Sequence, residues 1–353
     1  MIISSPGRIC LFGEHQDYLG LPVIAAAISL RIKIEGKLRS DLEVNIDLPD
    51  TASKENFSLE GDLNYHSSSD YFKSGLNVMR KDGFTFSKGF NCTVKGNIPL
   101  QAGTSSSSAL VVSWINFLSN ISDQSEQLSP KMISDLAYKA EVIEFDQAGG
   151  VMDQNSISYG NLVYIDTHPD VVVKKLPYKL SKFVLGDSLE KKDTQLVLQN
   201  SKDKVLEIIK KINQELNDFS LKNTKISDLE TFEMLDQKEI GLLKEVLNNR
   251  DLTQKGFDLL LNKENNDKLI GRLLSKEHRI LRDALKVSTP KIEKMLKSAM
   301  NAGALGGKIN GSGGGGCMFA YAPENYEDVA KAIEDVGGKS HIINIDEGTK
   351  KHE

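Results

Sequence analysis

Apolar and polar residues alternate from Ile28 to Glu35 and again from Leu42 to Leu48, which predicts two strands with one face in a core. From Ser105 to Leu118 the spacing is helical, and it begins at a run of serines, good N-cap residues. Ser129-Pro130, a cap followed by proline in the first turn, announces a second helix running to about Gln147, and Gly149-Gly150 breaks it. Asn161 to Ile165 and Phe183 to Asp187 read as strands. A highly charged helical stretch comes next, from about Asp193 to Leu285, its tail marked by Ile280, Leu281 and Leu285. The order then becomes helix from Thr289-Pro290, strands at Leu305–Ile309 and Cys317–Tyr321, helix from Glu324 to Val336, and strand at His341–Ile345. With the Phe183 strand placed first, this is a split β-α-β-β-α-β unit carrying a helical insertion. The pattern predicts an α+β chain of two domains, 1–170 and 171–353, with a seam near residues 166–181.

Composition narrows the function classes. A chain of 353 residues is long enough for two domains that each bury a core. A formal charge of −5, with lysines and arginines scattered among acids, argues against a nucleic-acid or anionic-membrane partner. Cys10, Cys92 and Cys317 are odd in number and irregularly spaced, which excludes a disulfide framework and fits a reducing compartment. The first residues have neither the cationic flank nor the apolar core of a signal peptide, and no apolar run is long enough to span a bilayer. The expected location is the cytoplasm.

Three glycine- and serine-rich segments carry the chemistry. Gly103-Thr104-Ser105-Ser106-Ser107-Ser108 enters a helix, so free backbone N–H groups, hydroxyls and the positive end of the helix dipole meet at one point suited to a triphosphate. Ile98-Pro99-Leu100 before it and the strongly apolar Ala109-Leu110-Val111-Val112 after it argue against a flexible linker, and no Gly-Lys-Ser/Thr makes it a Walker A loop. Gly311-Ser312-Gly313-Gly314-Gly315-Gly316 formally satisfies a dinucleotide fingerprint. The next residues, Cys317 to Tyr321, read as a strand rather than the required helix, so the glycines are better explained as backbone pressed close to a ligand. Near the start, Arg8, Glu14, His15 and Asp17 fall within ten residues, a set suited to hydrogen bonding sugar hydroxyls in a loop between strands. His15 as a metal ligand is disfavoured by the scatter of the six histidines. A fourth segment, Gly149-Gly150-Val151-Met152-Asp153-Gln154, puts an acid in a glycine-lined turn, where it either forms the turn or acts as a base.

Together these segments resemble the galactokinase branch of the GHMP small-molecule kinases. Gly-Arg…Gly-Glu-His-x-Asp-Tyr and Gly-Val-Met-Asp-Gln carry the likeness, and it extends to Leu281-Arg282-Asp283-Ala284-Leu285 and Val287-Ser288-Thr289-Pro290. The resemblance implies an N-terminal domain like ribosomal protein S5, a ferredoxin-like C-terminal domain, and an active site between them. It implies Asp153 as the catalytic aspartate with Arg8 beside it, keeping it ionised. Glu14, His15, Asp17, Gly150 and Asp153 would bind the acceptor. Gly103, Thr104, Ser105, Ser106, Ser107, Ser108, Gly313 and Gly314 would bind ATP. Ser106 and Glu141 would ligate Mg²⁺; Glu141 is preferred to Glu144 because it lies twelve residues before Asp153. The implied activity is phosphorylation of a sugar at its anomeric hydroxyl, with galactose leading; another GHMP substrate such as mevalonate, or an inactive sugar and ATP sensor, are the alternatives. Gln16, Leu19 and Leu21 depart from the usual Thr, Asn and Gly of galactokinases, and no tyrosine follows Gly186-Asp187-Ser188 at the position where those enzymes present one to the sugar.

Overall fold

The structure is a computed structural model describing residues 1–100, 102–190, 194–216, 219–261 and 266–352. Gln101 of the serine segment and Asp193, the expected start of the charged helices, lie outside the described residues. The first sheet contains β1 (Ile2–Phe12), β2 (Val23–Leu38), β3 (Glu43–Leu48), β4 (Ser53–Ser58), β5 (Phe90–Gly96), β6 (Leu162–Asp166) and β7 (Val172–Lys175). Its helices are α1 (Tyr71–Lys81), α2 (Ser106–Ile121), α3 (Pro130–Glu141) and α4 (Met152–Tyr159). The second sheet is β8 (Phe183–Asp187), β9 (Gly306–Ile309), β10 (Cys317–Tyr321) and β11 (Lys339–Ile343), with α8 (Pro290–Asn301) and α9 (Tyr326–Asp335). Between β8 and α8 come α5 (Thr194–Glu215), α6 (Gln237–Leu261) and α7 (Asp267–Asp283). A last strand, β12 (Lys350–His352), ends the described chain.

The second sheet is antiparallel in the order β11-β8-β10-β9, the pairing of the split β-α-β-β-α-β unit that the periodicity predicts. The first runs β12-β1-β2-β5-β3-β4, with β6 on β2 and β7 on β6. Strand pairing continues in the first sheet on both sides of residue 170. Val172–Lys175 still belongs to the first sheet, and the chain returns to it where Lys350–His352 pairs with β1. Such a return leaves no periodic signal, because a three-residue strand is too short to alternate.

Other differences have equally local causes. β2 begins at Val23, five residues earlier than its alternation, because Val23–Ile28 is buried on both faces and reads as a plain apolar run. α3 stops at Glu141, and a 3₁₀ turn over Ile143–Phe145 takes the chain on towards Gly149. Asp153 is not in a turn but in the first turn of α4, whose buried Gln154, Asn155, Ser156 and Ser158 give it no apolar stripe to recognise. α1 does carry such a stripe, although it is not among the predicted elements: Phe72, Leu76 and Met79 recur at helical spacing, all buried against a core that includes Trp114 and Phe117 of α2. Cys10, Cys92 and Cys317 are all buried. No helix among the described residues is long and apolar enough to cross a membrane.

The charged insertion has its own core. Val205, Ile208, Ile212, Phe232, Leu243 and Leu247 cluster together, and Leu21 of the first segment is buried among them with Leu19 packed alongside.

Candidate active site

Arg8 lies on β1 where the register with β2 shifts between Pro6 and Arg8, an irregularity of the kind that re-aims a side chain. Its guanidinium is buried and grips Asp153 with two bonds, Nε to Oδ1 at 2.8 Å and Nη2 to Oδ2 at 3.1 Å. Burial disfavours the Arg8 charge, but Asp153 and Glu14 more than offset it and hold the group above its ordinary value. Ser105 Oγ donates to Asp153 Oδ2 at 2.5 Å. Ser105 is the N-cap position of α2 in left-handed conformation, and its hydroxyl caps no backbone N–H there. The first turn of α2 is thus left open towards the cavity.

Asn310 ties the segments together. Its Oδ1 accepts from Cys10 N at 2.9 Å, and its Nδ2 donates to Gly103 O at 2.8 Å. Arg8 Nη1 donates to the same Gly103 carbonyl at 2.5 Å. Gly311 comes so close that a Cβ there would lie 2.7 Å from Gly103 O, and its φ of +76° is a left-handed value that favours glycine.

The part of the cavity lined by Glu14, Asp17 and Asp153 is acidic. Asp17 is partly buried, and burial with Asp153 nearby pushes its carboxyl up to about 6. Met152 N donates to Asp17 Oδ2 at 3.3 Å. Gly150 makes room for it: a Cβ at Gly150 would stand 2.0 Å from that oxygen. His15 takes a positive φ of 64°, with Nδ1 against Tyr18 Oη at 3.0 Å and Nε2 against Ser312 O at 3.1 Å. Glu14 is buried with Oε2 2.9 Å from Lys308 Nζ. Beneath it Glu277 Oε1 accepts from the Gly13 and Glu14 amides at 3.0 and 2.9 Å, while its Oε2 is buried without a partner among the described residues. Burial raises the Glu277 carboxyl to about 7. Burial alone would lower the Lys308 ammonium, but Glu14 and Glu277 keep it above the ordinary lysine value.

Glu141 is buried at the end of α3 and is raised to about 7 by that burial. Ser108 Oγ donates to its Oε1 at 2.9 Å and Gln154 Nε2 to its Oε2 at 2.7 Å, and Ser107 also hydrogen-bonds it. Ser106 lines the same cavity without a bond to Glu141 among the described residues. Glu144 faces the other way, accepting from Tyr65 Oη at 2.6 Å and Lys81 Nζ at 2.6 Å.

These side chains enclose a cavity of 610 Å³ lined by Arg8, Glu14, His15, Asp17, Asp153 and Glu141, with Gly103, Ser105 to Ser108, Gly150, Gly311 and Ser312. Three expected residues do not line it. Thr104 is fully buried, its carbonyl accepting from Arg8 N at 3.3 Å. Gly313 is packed on Val287, and Gly314 N donates to the Val287 carbonyl at 2.7 Å, so Gly311 and Ser312 take their place at the wall. The strand assignment places the glycines correctly, but spacing alone does not reveal which of them face inward.

The departures in the first segment are explained by the insertion. Gln16 is buried facing α6, bonded to Pro22 O and, at 3.1 Å, to Thr253 Oγ1. Leu19 and Leu21 join the insertion's apolar core. None of the three lines the cavity. Lys308, Asn310 and Gln154 lie within or beside the glycine segments but have no role that spacing predicts; a lysine between strand residues and a glycine turn is the available signal.

Known proteins resemble this chain in sequence and fold. A model described as GHMP kinases N terminal domain matches residues 70–161, one described as GHMP kinases C terminal matches 258–339, and a galactokinase galactose-binding signature matches 1–37. The mevalonate kinase of Thermococcus onnurineus is 28% identical, covering 100% of this chain and 98% of its own. The galactokinase of Clostridium perfringens is 28% identical over 95% of this chain and 88% of its own. The crystal structure of Lactococcus lactis galactokinase complexed with galactose superposes with a TM-score of 0.86 at 23% identity, covering 99% of this chain and 95% of that one. Methanococcus jannaschii mevalonate kinase gives 0.75 at 20% identity, covering 98% of each. The two crystal structures share the fold of this chain.

Proposed function

The chain belongs to the GHMP kinases, a family of ATP-dependent phosphotransferases, and on that premise we propose that it phosphorylates a monosaccharide at its anomeric hydroxyl, galactose first among candidates. The observation that carries the reading is the charge of the cavity wall. Glu14, Asp17, Glu141 and Asp153 line it; Asp153 is paired with Arg8 and Glu14 with the buried Lys308 behind the wall, and no lysine lines the cavity itself among the described residues. Carboxylates accept hydrogen bonds from a neutral polyol. An acceptor bearing its own carboxylate meets like charge instead. The galactose-binding signature over residues 1–37, which includes Glu14, His15 and Asp17, supports the same acceptor.

Phosphoryl transfer depends on positioning and charge neutralisation more than on covalent help. The open first turn of α2, from Ser105 to Ser108, would cradle the ATP phosphates. The donor set near it is hard oxygen, one buried carboxylate with adjacent hydroxyls, which fits Mg²⁺ bound mainly through phosphates and water. Glu141 with the hydroxyls of Ser106, Ser107 and Ser108 would hold it, and Mg²⁺ when bound supplies neutralising charge to the phosphates. Asp153 orients the attacking hydroxyl and takes its proton as the new O–P bond forms and the β–γ bridge breaks, releasing ADP. Arg8 and Ser105 fix the carboxylate for that task.

Mevalonate is the second reading, favoured by the whole-length likeness to archaeal mevalonate kinases. The deciding experiment is ADP release from ATP with Mg²⁺, screened over galactose, N-acetylgalactosamine, glucose, arabinose, glucuronate, mannoheptose and mevalonate. Phosphorus NMR of the product should place the phosphate on C1 of a sugar. Turnover of mevalonate with none on any sugar overturns the proposal.

A further inference from the structure

A second concavity, of 1080 Å³, lies between α6 and the C-terminal half of α7, away from the residues of the acceptor cavity. Six cations converge on it from separate elements: Lys204 of α5, Lys238 and Lys255 of α6, Lys276 and Arg279 of α7, and Lys286 beyond α7. None of their side chains makes a hydrogen bond or salt bridge among the described residues. Two of the three acids in the groove are already claimed. Asp283 is held bidentately by Arg282 at 2.7 and 2.8 Å, and Asp251 by Arg250 at 2.7 Å. Only Glu245 adds uncompensated negative charge, in a chain whose net charge is −5. Leu242, Leu252 and Ile280 supply apolar surface between the cations. Like charges around a concave, partly apolar wall repel one another and focus a positive potential into the groove.

Both helices also touch the acceptor loop with neighbouring residues. Asn248 lines the groove, while Asn249 Nδ2 donates to Glu14 O at 3.0 Å. Leu252 lines it, while Thr253 Oγ1 accepts from Gln16 at 3.1 Å. Lys276 lines it, while Glu277 accepts from the Gly13 and Glu14 amides. One face of the α6–α7 pair therefore forms the groove, and another holds the backbone of Gly13 and Glu14 and the side chain of Gln16.

We propose that this groove binds a small organic polyphosphate, its phosphates on the lysines and its ring or chain on Leu242, Leu252 and Ile280, and that occupancy is felt at the acceptor loop through Asn249 and Glu277. The site is independent of which acceptor the kinase uses.

Calorimetric titration of the full chain with ADP, and separately with pyrophosphate, tests the site. The comparison is with Lys255→Glu/Lys276→Glu/Arg279→Glu, three residues outside the acceptor cavity, and with the triple Gln variant as a milder control. The wild type should bind one equivalent that the Glu variant weakens at least about tenfold and the Gln variant weakens less, with ADP bound more tightly than pyrophosphate there. Any binding at the acceptor cavity should persist in all three, so failure of the kinase reading leaves this comparison intact. Isotherms unchanged by the triple Glu variant overturn the site. Hydrogen exchange at the Gly13 and Glu14 amides tests the coupling. Pyrophosphate should change their protection in the wild type and not in the Glu variant, and equal behaviour of the two proteins overturns the link.

Discussion

Lys308, fully enclosed on β9, places its Nζ 2.9 Å from Oε2 of Glu14 and 2.9 Å from the carbonyl of Cys10. The late glycine segment thus clamps the first segment from beneath, and one Glu14 oxygen is used inside the protein. Glu277 stands 3.8 Å from the same ammonium and fixes the Gly13 and Glu14 amides. Removing one partner of a buried ion pair leaves the other uncompensated, at roughly 3–5 kcal/mol. Lys308→Met should lower stability on that scale in urea denaturation and raise the acceptor KM far more than the ATP KM. Adding Glu14→Gln should recover part of the stability but not the acceptor affinity. Equal rises in both KM values would mean that Lys308 supports the fold without positioning Glu14.

Asp17, on the proposed reading an acceptor-binding residue, brings a pH dependence with it. Its folded carboxyl titrates at about 6, above the ordinary 3.8, because burial and Asp153 disfavour its charge. The folded state therefore binds this proton more tightly than the unfolded chain. The favourable contribution is fully present below the unfolded value and is lost as pH rises through about 6. Asp17→Asn removes the penalty, so its stability relative to wild type should grow between about pH 4.5 and 7.5, by on the order of 1–2 kcal/mol. Its acceptor affinity should fall, since the amide offers one acceptor oxygen where the ionised carboxylate offers two. Denaturation at both pH values checks the first effect, and a stability difference independent of pH would contradict it.

The metal assignment rests on Glu141 facing the serine turn and Glu144 facing away. Glu141→Ala should raise the Mg²⁺ concentration for half-maximal rate by about 10–100-fold, the range seen when groups around a metal site are removed. Glu144→Ala removes contacts with Tyr65 and Lys81 outside the cavity and should change that concentration little. Ser107→Ala and Ser108→Ala report on the hydroxyls bonded to Glu141, and Ser106→Ala on the one that is not. Greater sensitivity at Glu144 than at Glu141 would reverse the assignment.

The second sheet is legible in the sequence because each of its elements has a clear period and a clear break. Thr289-Pro290 caps α8 as its residues suggest, with Thr289 Oγ1 accepting from Ile292 N. The site is legible as segments and not as geometry. Arg8, Glu14, Asp17 and Asp153 carry a recognisable pattern, but the contacts of Asn310 with Cys10 and Gly103 span 300 and 207 residues of sequence. No local rule reports such contacts. Gln16, Leu19 and Leu21 stand out in the sequence only as departures from the galactokinase pattern, because their partners, Thr253 and the apolar core of the insertion, lie in the part of the sequence with the weakest signal. Glu277 is hidden for the same reason, as one acid among many on a charged helix.

Asp153 is the residue on which the proposed chemistry turns. Its carboxylate is only partly buried, with a side-chain exposure of 27%, while the Arg8 beside it is at 6%. The base can therefore meet an acceptor while its positioning partner stays shielded. Three donors, Arg8 Nε, Arg8 Nη2 and Ser105 Oγ, fix both of its oxygens. Asp153→Asn would keep the shape but present an amide N–H₂ to one of those donors, losing a bond and the proton acceptor together. Turnover should fall about 10²–10⁴-fold, the usual contribution of a positioned acid or base. ATP affinity should change little, because the open first turn of α2 is a backbone feature that the substitution leaves in place. Single-turnover kinetics alongside ATP titration separate the two effects. Near-wild-type turnover in the Asn variant would falsify the role of Asp153, and a parallel collapse of ATP affinity would show instead that the residue organises the phosphate end of the cavity.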